Sequence, residues 1–128
     1  MTRTALLIED NEQNLYLATF LLEQHGYRVV AAVDGQAALS ALDGLVPDVI
    51  LLDMQLPGMD GYDVARLLRR LDSLRATPIV AVTSYAMVGD REKSLEAGCN
   101  GYIEKPIDPE TFIHEIEQVR VPTVEETR

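Results

Sequence analysis

Cysteine and basic residues are scarce in this sequence. Cys99 is the one cysteine among 128 residues, so no disulfide can form within the chain. Such a composition suits a reducing compartment and predicts a cytoplasmic location. The 11 Lys and Arg residues are outnumbered by 21 Asp and Glu, which gives a formal net charge of −10. Phosphate backbones and anionic lipids repel such a surface, so direct binding to nucleic acid or to a membrane is not expected.

Long hydrophobic runs are also missing. Only four apolar residues, Ala5–Ile8, precede the acidic pair Glu9-Asp10, which is too short for a signal peptide or a membrane span. The apolar fraction of 47% is enough for a core, and the length suits one domain. We predict a domain over residues 1–121 and a flexible polar tail over residues 122–128. Met1 and this tail favour a complete protein over an excised module.

Short apolar segments recur along the chain. The third is a continuous Val-Ile-Leu-Leu run without polar alternation, as in strands that are buried on both faces of a parallel sheet. We predict five strands, at Ala5–Ile8, Arg28–Ala32, Val49–Leu52, Ile79–Val82 and Tyr102–Ile103.

Apolar residues at helical spacing lie between these segments. Residues 64–71 carry the clearest stripe, and Asp60 and Asp108 are predicted N-caps of the third and fifth helices. Five alternations of strand and helix predict an α/β fold, a doubly wound parallel sheet with helices on both faces. The helices are predicted at residues 15–25, 37–42, 64–71, 90–97 and 112–119.

Acidic residues stand at the carboxyl ends of two predicted strands. Glu9 and Asp10 follow the first strand and Asp53 follows the third. In open α/β sheets ligands bind at such ends, where the strand order reverses. If the order is 2-1-3-4-5, these carboxylates are neighbours, and each pair at about 4 Å costs on the order of 4 kcal/mol at an effective dielectric of about 20. Either one carboxyl is protonated or a cation is present, and hard oxygen ligands suit Mg²⁺.

The neighbouring strand ends supply groups for an anion. Thr83 and Ser84 end the fourth strand, and Lys105 follows the fifth. A metal, a lysine and a hydroxyl together form a site for a phosphoryl group. Each residue also has a simpler explanation: Asp10 or Asn11 could cap the first helix, the two hydroxyls could cap another, and Lys105 could be a solvated charge. The hypothesis therefore depends on the combination.

Four runs of sequence resemble response-regulator receiver domains of two-component signalling systems. The resemblance covers nearly the whole chain, in order and with the usual spacings. It is strongest to single-domain regulators of the cell-division type and to receiver modules of hybrid sensor kinases, and it implies a flavodoxin-like sheet of order 2-1-3-4-5. The runs are Leu7–Asn11, Asp48–Gly61, Ile79–Ala86 and Gly101–Pro106.

The resemblance assigns roles to the acidic cluster. Asp53 would accept a phosphoryl group from a histidine kinase or a histidine phosphotransfer protein. Asp10, Asp53 and the backbone carbonyl of Gln55 would bind Mg²⁺ directly, and Glu9 would contribute through water. The pair Glu9-Asp10 departs from the commoner Asp-Asp, but the longer side chain still reaches the metal through water.

The remaining roles concern the signal. Lys105 would pair with the phosphoryl oxygens, next to a cis bond to Pro106. Thr83 would bind the phosphoryl group and Tyr102 would change rotamer with it. The resemblance then implies a partner-binding face made of the fourth helix, fifth strand and fifth helix. Ser84 stands where alanine is more usual, and position favours Thr83 as the switch hydroxyl.

Two further side chains are expected to control the lifetime of the phosphorylated state. By resemblance, Gln55 and Tyr85 flank the approach of the water that hydrolyses the acyl phosphate. Neither is an acid that could orient this water, and the Tyr85 ring could shield it, so a long lifetime is predicted. Alternatively, Tyr85 points to solvent and serves a partner interface.

Two other functional classes are weighed against this one. A flavin-binding electron carrier of the same fold needs a phosphate-cradling loop after strand one, where this chain has acid. A phosphohydrolase using Asp53 would typically carry a second aspartate at the position of Gln55. We therefore predict a switch that catalyses only its own phosphorylation and dephosphorylation. Cys99, His25 and His114 are expected to have no part in the chemistry.

Overall fold

A computed structural model describes residues 2–84 and 87–119. Within these ranges five strands alternate with five helices, and a short 3-10 turn, Asp72–Leu74, precedes the fourth strand. No helix in this part of the chain is long and apolar enough to cross a membrane. The strands are β1 (Arg3–Ile8), β2 (Tyr27–Ala32), β3 (Val49–Asp53), β4 (Ile79–Thr83) and β5 (Gly101–Glu104); the helices are α1 (Glu12–Gln24), α2 (Gly35–Ala41), α3 (Gly61–Arg69), α4 (Asp90–Glu96) and α5 (Phe112–Glu117).

The strands form one parallel sheet in the order β2-β1-β3-β4-β5, which confirms the predicted topology. β1 and β3 are neighbours, with Ala5 beside Val49 and Ile8 beside Leu52. The residues that follow β1 and end β3 therefore lie at the same edge of the sheet. The predicted tail, residues 122–128, lies outside the described residues.

The core has two layers, one on each face of the sheet, because neighbouring strand residues point in opposite directions. Leu6, Ile8 and Leu52 lie in the layer that contains α3 residues, and Leu7 and Leu51 lie in the layer that contains α1 and α5 residues. β3 is buried at all five positions. This explains the absence of polar alternation in its sequence.

Local capping decides where the helices begin. Asn11, and not Asp10, caps α1, since its side chain accepts the N–H of Asn14 at 3.0 Å. Asp60 caps α3 as predicted, accepting the N–H of Tyr62 at 2.8 Å.

The fifth helix begins at Phe112, as its apolar spacing predicts, but Asp108 is not its N-cap residue. Its N-cap position is Thr111, which makes no side-chain capping bond. Asp108 closes the turn that leads into α5: its carboxylate accepts the N–H of Glu110 at 2.9 Å, and its carbonyl accepts that of Phe112. The capping chemistry predicted for Asp108 is present, but one turn before the regular helix.

A half-buried arginine joins the loops on the α3 side of the sheet. The Arg69 guanidinium donates to the carbonyls of Leu74, Thr77 and Gly98 and to the side-chain oxygen of Asn100. Burial lowers the pKa of Arg69. The sequence does not reveal this role of Arg69, since a basic residue in the last turn of a helix is commonly a solvated charge.

Candidate functional site

Three carboxylates meet at the carboxyl edge of the sheet. One oxygen from each of Glu9, Asp10 and Asp53 lies within 4.8 Å of the others. Glu9 is 3% exposed and Asp53 is 4% exposed, whereas Asp10 is exposed to solvent. The three acids are neighbours, as the strand order predicts. Two of them are buried and the third is exposed at the entrance of the site.

Lys105 enters the cluster from the end of β5. Its ammonium nitrogen lies 2.9 Å from Glu9 Oε1 and 3.3 Å from Asp53 Oδ2, and its side chain is 9% exposed. The Lys105–Pro106 bond is cis, as expected. One ammonium against three carboxylates leaves excess negative charge when all are ionised.

The electrostatics of Glu9 reflect this excess. Burial, above all, raises the pKa of Glu9, and the Asp53 carboxyl adds to the effect. Lys105 and the backbone N–H of Asn11, which donates to Glu9 Oε2 at 3.2 Å, act in the opposite direction. A cation beside these carboxylates would relieve the repulsion.

The donor set fits a hard divalent cation. All three side chains offer carboxylate oxygens, and the exposed position of Asp10 leaves room for retained water, as Mg²⁺ requires. Since Asn11 caps α1, the Asp10 side chain is not the cap of that helix. The backbone after β3 also turns back on the cluster, because the Gln55 N–H donates to Asp53 Oδ1 at 2.9 Å.

The end of β4 carries the predicted hydroxyl. Thr83 is 3% exposed and is the last residue of the strand, beside β3. The side-chain amide of Gln55 contacts this strand end: Nε2 donates to Thr83 Oγ1 at 2.5 Å, and Oε1 accepts the N–H of Ser84 at 2.8 Å. These two bonds depend on a side-chain rotamer and could not be predicted from the sequence.

Tyr102 lies on β5, beside Ala81 of β4. It is half-buried against the α3 layer of the core. Burial raises the pKa of Tyr102, and the nearby Asp90 of α4 adds to this. Tyr102 therefore lies on the strand next to the one that ends in Thr83, the residue with which its rotamer is expected to change. Tyr85, which the sequence predicts to control the lifetime of the phosphorylated state together with Gln55, lies outside the described residues.

The residues given no chemical role lie away from the cluster. Cys99 is buried in the core, and burial raises the pKa of its thiol to about 11. His25 and His114 are both exposed, and His25 Nδ1 lies 3.0 Å from the carbonyl oxygen of Leu21.

A parallel sheet of order 2-1-3-4-5 with acids, a hydroxyl and a lysine at its carboxyl edge defines a receiver domain. Residues 5–117 match the family model of the response regulator receiver domain. The chain belongs to this family, whose members act in phosphoryl-transfer signalling.

Similar proteins include single-domain regulators. The polar-differentiation response regulators DivK of Brucella ovis and Brucella anthropi are each 40% identical over 116 residues, which cover 91% of this chain and 94% of theirs.

Solved receiver structures are also similar. The receiver domain of a sensor histidine kinase from Pseudomonas aeruginosa, with magnesium coordinated in its active-site cleft, has a TM-score of 0.83 and 35% identity over 93% of this chain and 98% of that one. The chemotaxis protein CheY4 of Vibrio cholerae has a TM-score of 0.88 and 26% identity, covering 93% of this chain and 99% of its own.

Proposed function

We propose that this chain is a phosphorylation-controlled switch that accepts a phosphoryl group on Asp53. The observation that carries the proposal is the geometry around this carboxylate. An oxygen of Asp53 lies 3.3 Å from the Lys105 ammonium. Asp53 also shares a carboxylate cluster with Glu9 and Asp10, and the cluster opens to solvent at Asp10. A buried acid with a cation on one side and room for a metal on the other is suited to nucleophilic attack on phosphorus.

In this proposal the donor is a phosphohistidine of a sensor kinase or a phosphotransfer protein. An oxygen of Asp53 attacks phosphorus, the P–N bond to histidine breaks, and the imidazole leaves. Mg²⁺, held directly by Asp10, Asp53 and the Gln55 carbonyl and through water by Glu9, would neutralise charge on the phosphoryl oxygens. Lys105 is placed to hold a further phosphoryl oxygen. Hydrolysis later transfers the group to water and regenerates the Asp53 carboxylate.

The proposed output surface is the face formed by α4, β5 and α5. A groove of about 320 Å³ crosses it and is lined by residues of all three elements, among them Arg91, Tyr102 and Glu115. Thr83 and Tyr102 would couple this face to the site. The chain would act on its own phosphoryl group and on no external metabolite. The cytoplasmic location expected from the sequence stays a prediction.

The acceptor is tested by incubating the protein with acetyl phosphate and Mg²⁺ and measuring its intact mass. The wild type should gain one phosphoryl group, whereas Asp53→Asn should gain none, because the amide cannot form the acyl phosphate. Wild type in EDTA is the control for the metal. Undiminished labelling of Asp53→Asn would refute the assignment.

A further inference from the structure

The Gln55 side chain occupies the end of β4. Its carboxamide contacts two adjacent groups, the Thr83 hydroxyl and the Ser84 N–H. A backbone N–H can only donate, so Oε1 must face Ser84 and Nε2 must face Thr83. The amide is therefore held in one orientation by both of its ends.

The groups that Gln55 contacts stand beside the proposed acceptor. β3 and β4 are adjacent, with Asp53 beside Val82, and the N–H of Met54 donates to the Val82 carbonyl at 2.9 Å. A phosphoryl group on Asp53 brings three anionic oxygens to this edge, and each requires donors. Lys105 serves one side, and the Thr83 hydroxyl and the Ser84 N–H are the corresponding groups on the β4 side.

We propose that Gln55 is a resting-state placeholder, whose amide occupies the phosphoryl-binding groups of β4 until phosphorylation displaces it. This inference rests on the proposed function. Before phosphorylation, the amide satisfies the Ser84 N–H, which would otherwise need another partner. On phosphorylation, anionic oxygens replace the neutral amide oxygen and form stronger, charge-assisted bonds. The Thr83 hydroxyl accepts from Gln55 at rest and donates to the phosphoryl group afterwards.

The hydrogen bonds of Gln55 to Thr83 and Ser84 must break before these two groups can bind the phosphoryl oxygens. Gln55 therefore opposes phosphorylation, in addition to the influence on hydrolysis expected from its position. Removing its two hydrogen bonds should speed binding of a phosphoryl group or its mimic by about tenfold, or ~1.4 kcal/mol.

The test uses Gln55→Met, which keeps the length of the side chain but lacks both hydrogen-bonding groups, and Gln55→Ala, which also removes the bulk. Beryllofluoride is the probe, since it mimics the phosphoryl group. It is not lost by acyl-phosphate hydrolysis, a step that Gln55 is also expected to influence. Its association rate is measured with Mg²⁺ at saturation for each variant. The backbone carbonyl of Gln55 is kept in both, and Mg²⁺ affinity is measured as the control.

A second readout follows the contact itself. The amide resonance of Ser84 is compared in wild type and both variants without metal or beryllofluoride, and it should shift in both because its acceptor is lost. Gln55→Met should then bind beryllofluoride about tenfold faster than wild type.

Association that is equal or slower in Gln55→Met overturns the placeholder, as does an unshifted Ser84 resonance. Acceleration in Gln55→Ala alone also overturns it, since bulk rather than hydrogen bonding would be responsible. If wild type accepts neither beryllofluoride nor acetyl phosphate, the proposed function fails and this inference fails with it.

Discussion

Removing the charge of Asp10 should stabilise the metal-free protein and remove most of its response to Mg²⁺. Asp10 lies within 4.8 Å of both Glu9 and Asp53, so each repulsion is at least about 0.9 kcal/mol at the dielectric of water and at least about 3.5 kcal/mol at an effective value of about 20. Asp10 is exposed, which favours the lower figure, and the attraction of Lys105 offsets part of the sum. Asp10→Asn should therefore raise the free energy of unfolding by about 1 kcal/mol without metal, or roughly 3–6 °C in Tm.

Magnesium should cancel this difference in stability. For a dissociation constant of about 1 mM, 10 mM Mg²⁺ stabilises the wild type by about 1.4 kcal/mol through mass action. A tenfold weaker site in Asp10→Asn would keep only about 0.4 kcal/mol of this gain.

The assay is thermal unfolding by circular dichroism in MgCl₂ and in NaCl of equal ionic strength. Asp43→Asn is the matched control, since it removes the same charge from an exposed position outside the cluster. It should respond to Mg²⁺ as the wild type does. A full Mg²⁺ increment in Asp10→Asn would refute the metal site, and a metal-free Asp10→Asn less stable than wild type would refute the repulsion argument.

Three other predictions address the signal and the core. Decay of the phosphorylated protein should be faster in Tyr85→Glu than in wild type, because an acid can orient the attacking water. It should be faster again in the double variant Gln55→Asn with Tyr85→Glu, by about tenfold overall. Equal decay in wild type and both variants would contradict control by these positions. Thr83→Ala should still be phosphorylated but show little chemical-shift change on the α4–β5–α5 face with beryllofluoride, and a wild-type response would exclude the coupling. Cys99 should react with iodoacetamide at pH 8 about a hundredfold more slowly than in the unfolded chain, since its pKa of about 11 against an ordinary 9.0 leaves that much less thiolate. Equal rates with and without guanidinium would contradict its burial.

The pH dependence of stability follows from the raised pKa of Glu9. An acid whose pKa is higher in the folded state contributes stability below its unfolded pKa and loses that contribution as pH rises through the folded value. Metal-free protein should therefore lose stability as pH rises from about 4 towards the folded pKa of Glu9, and Mg²⁺ should reduce the loss.

The sequence by itself determined the order of strands and helices and the identity of the acidic cluster. The continuous apolar run of β3 indicated a strand buried on both faces, and its burial is complete. Acids after β1 and β3 and a lysine after β5 were enough to predict one site, since parallel strands bring their carboxyl ends to the same edge. These predictions depend on local periodicity and on the order of strands and helices, and both can be read from a single sequence.

Only the tertiary structure decided between alternatives that have the same local sequence. Asp10 and Asn11 were equally good caps for α1, and the backbone geometry assigned the cap to Asn11. The hydrogen bonds of the Arg69 guanidinium depend on the fold, because one of the loops that it contacts, at Gly98, is distant from Arg69 in the sequence. The Gln55 amide could have faced water, and its contact with β4 follows from the packing of two neighbouring strand ends. Side-chain rotamers and long-range partners depend on the packed surroundings, which a local sequence pattern does not contain.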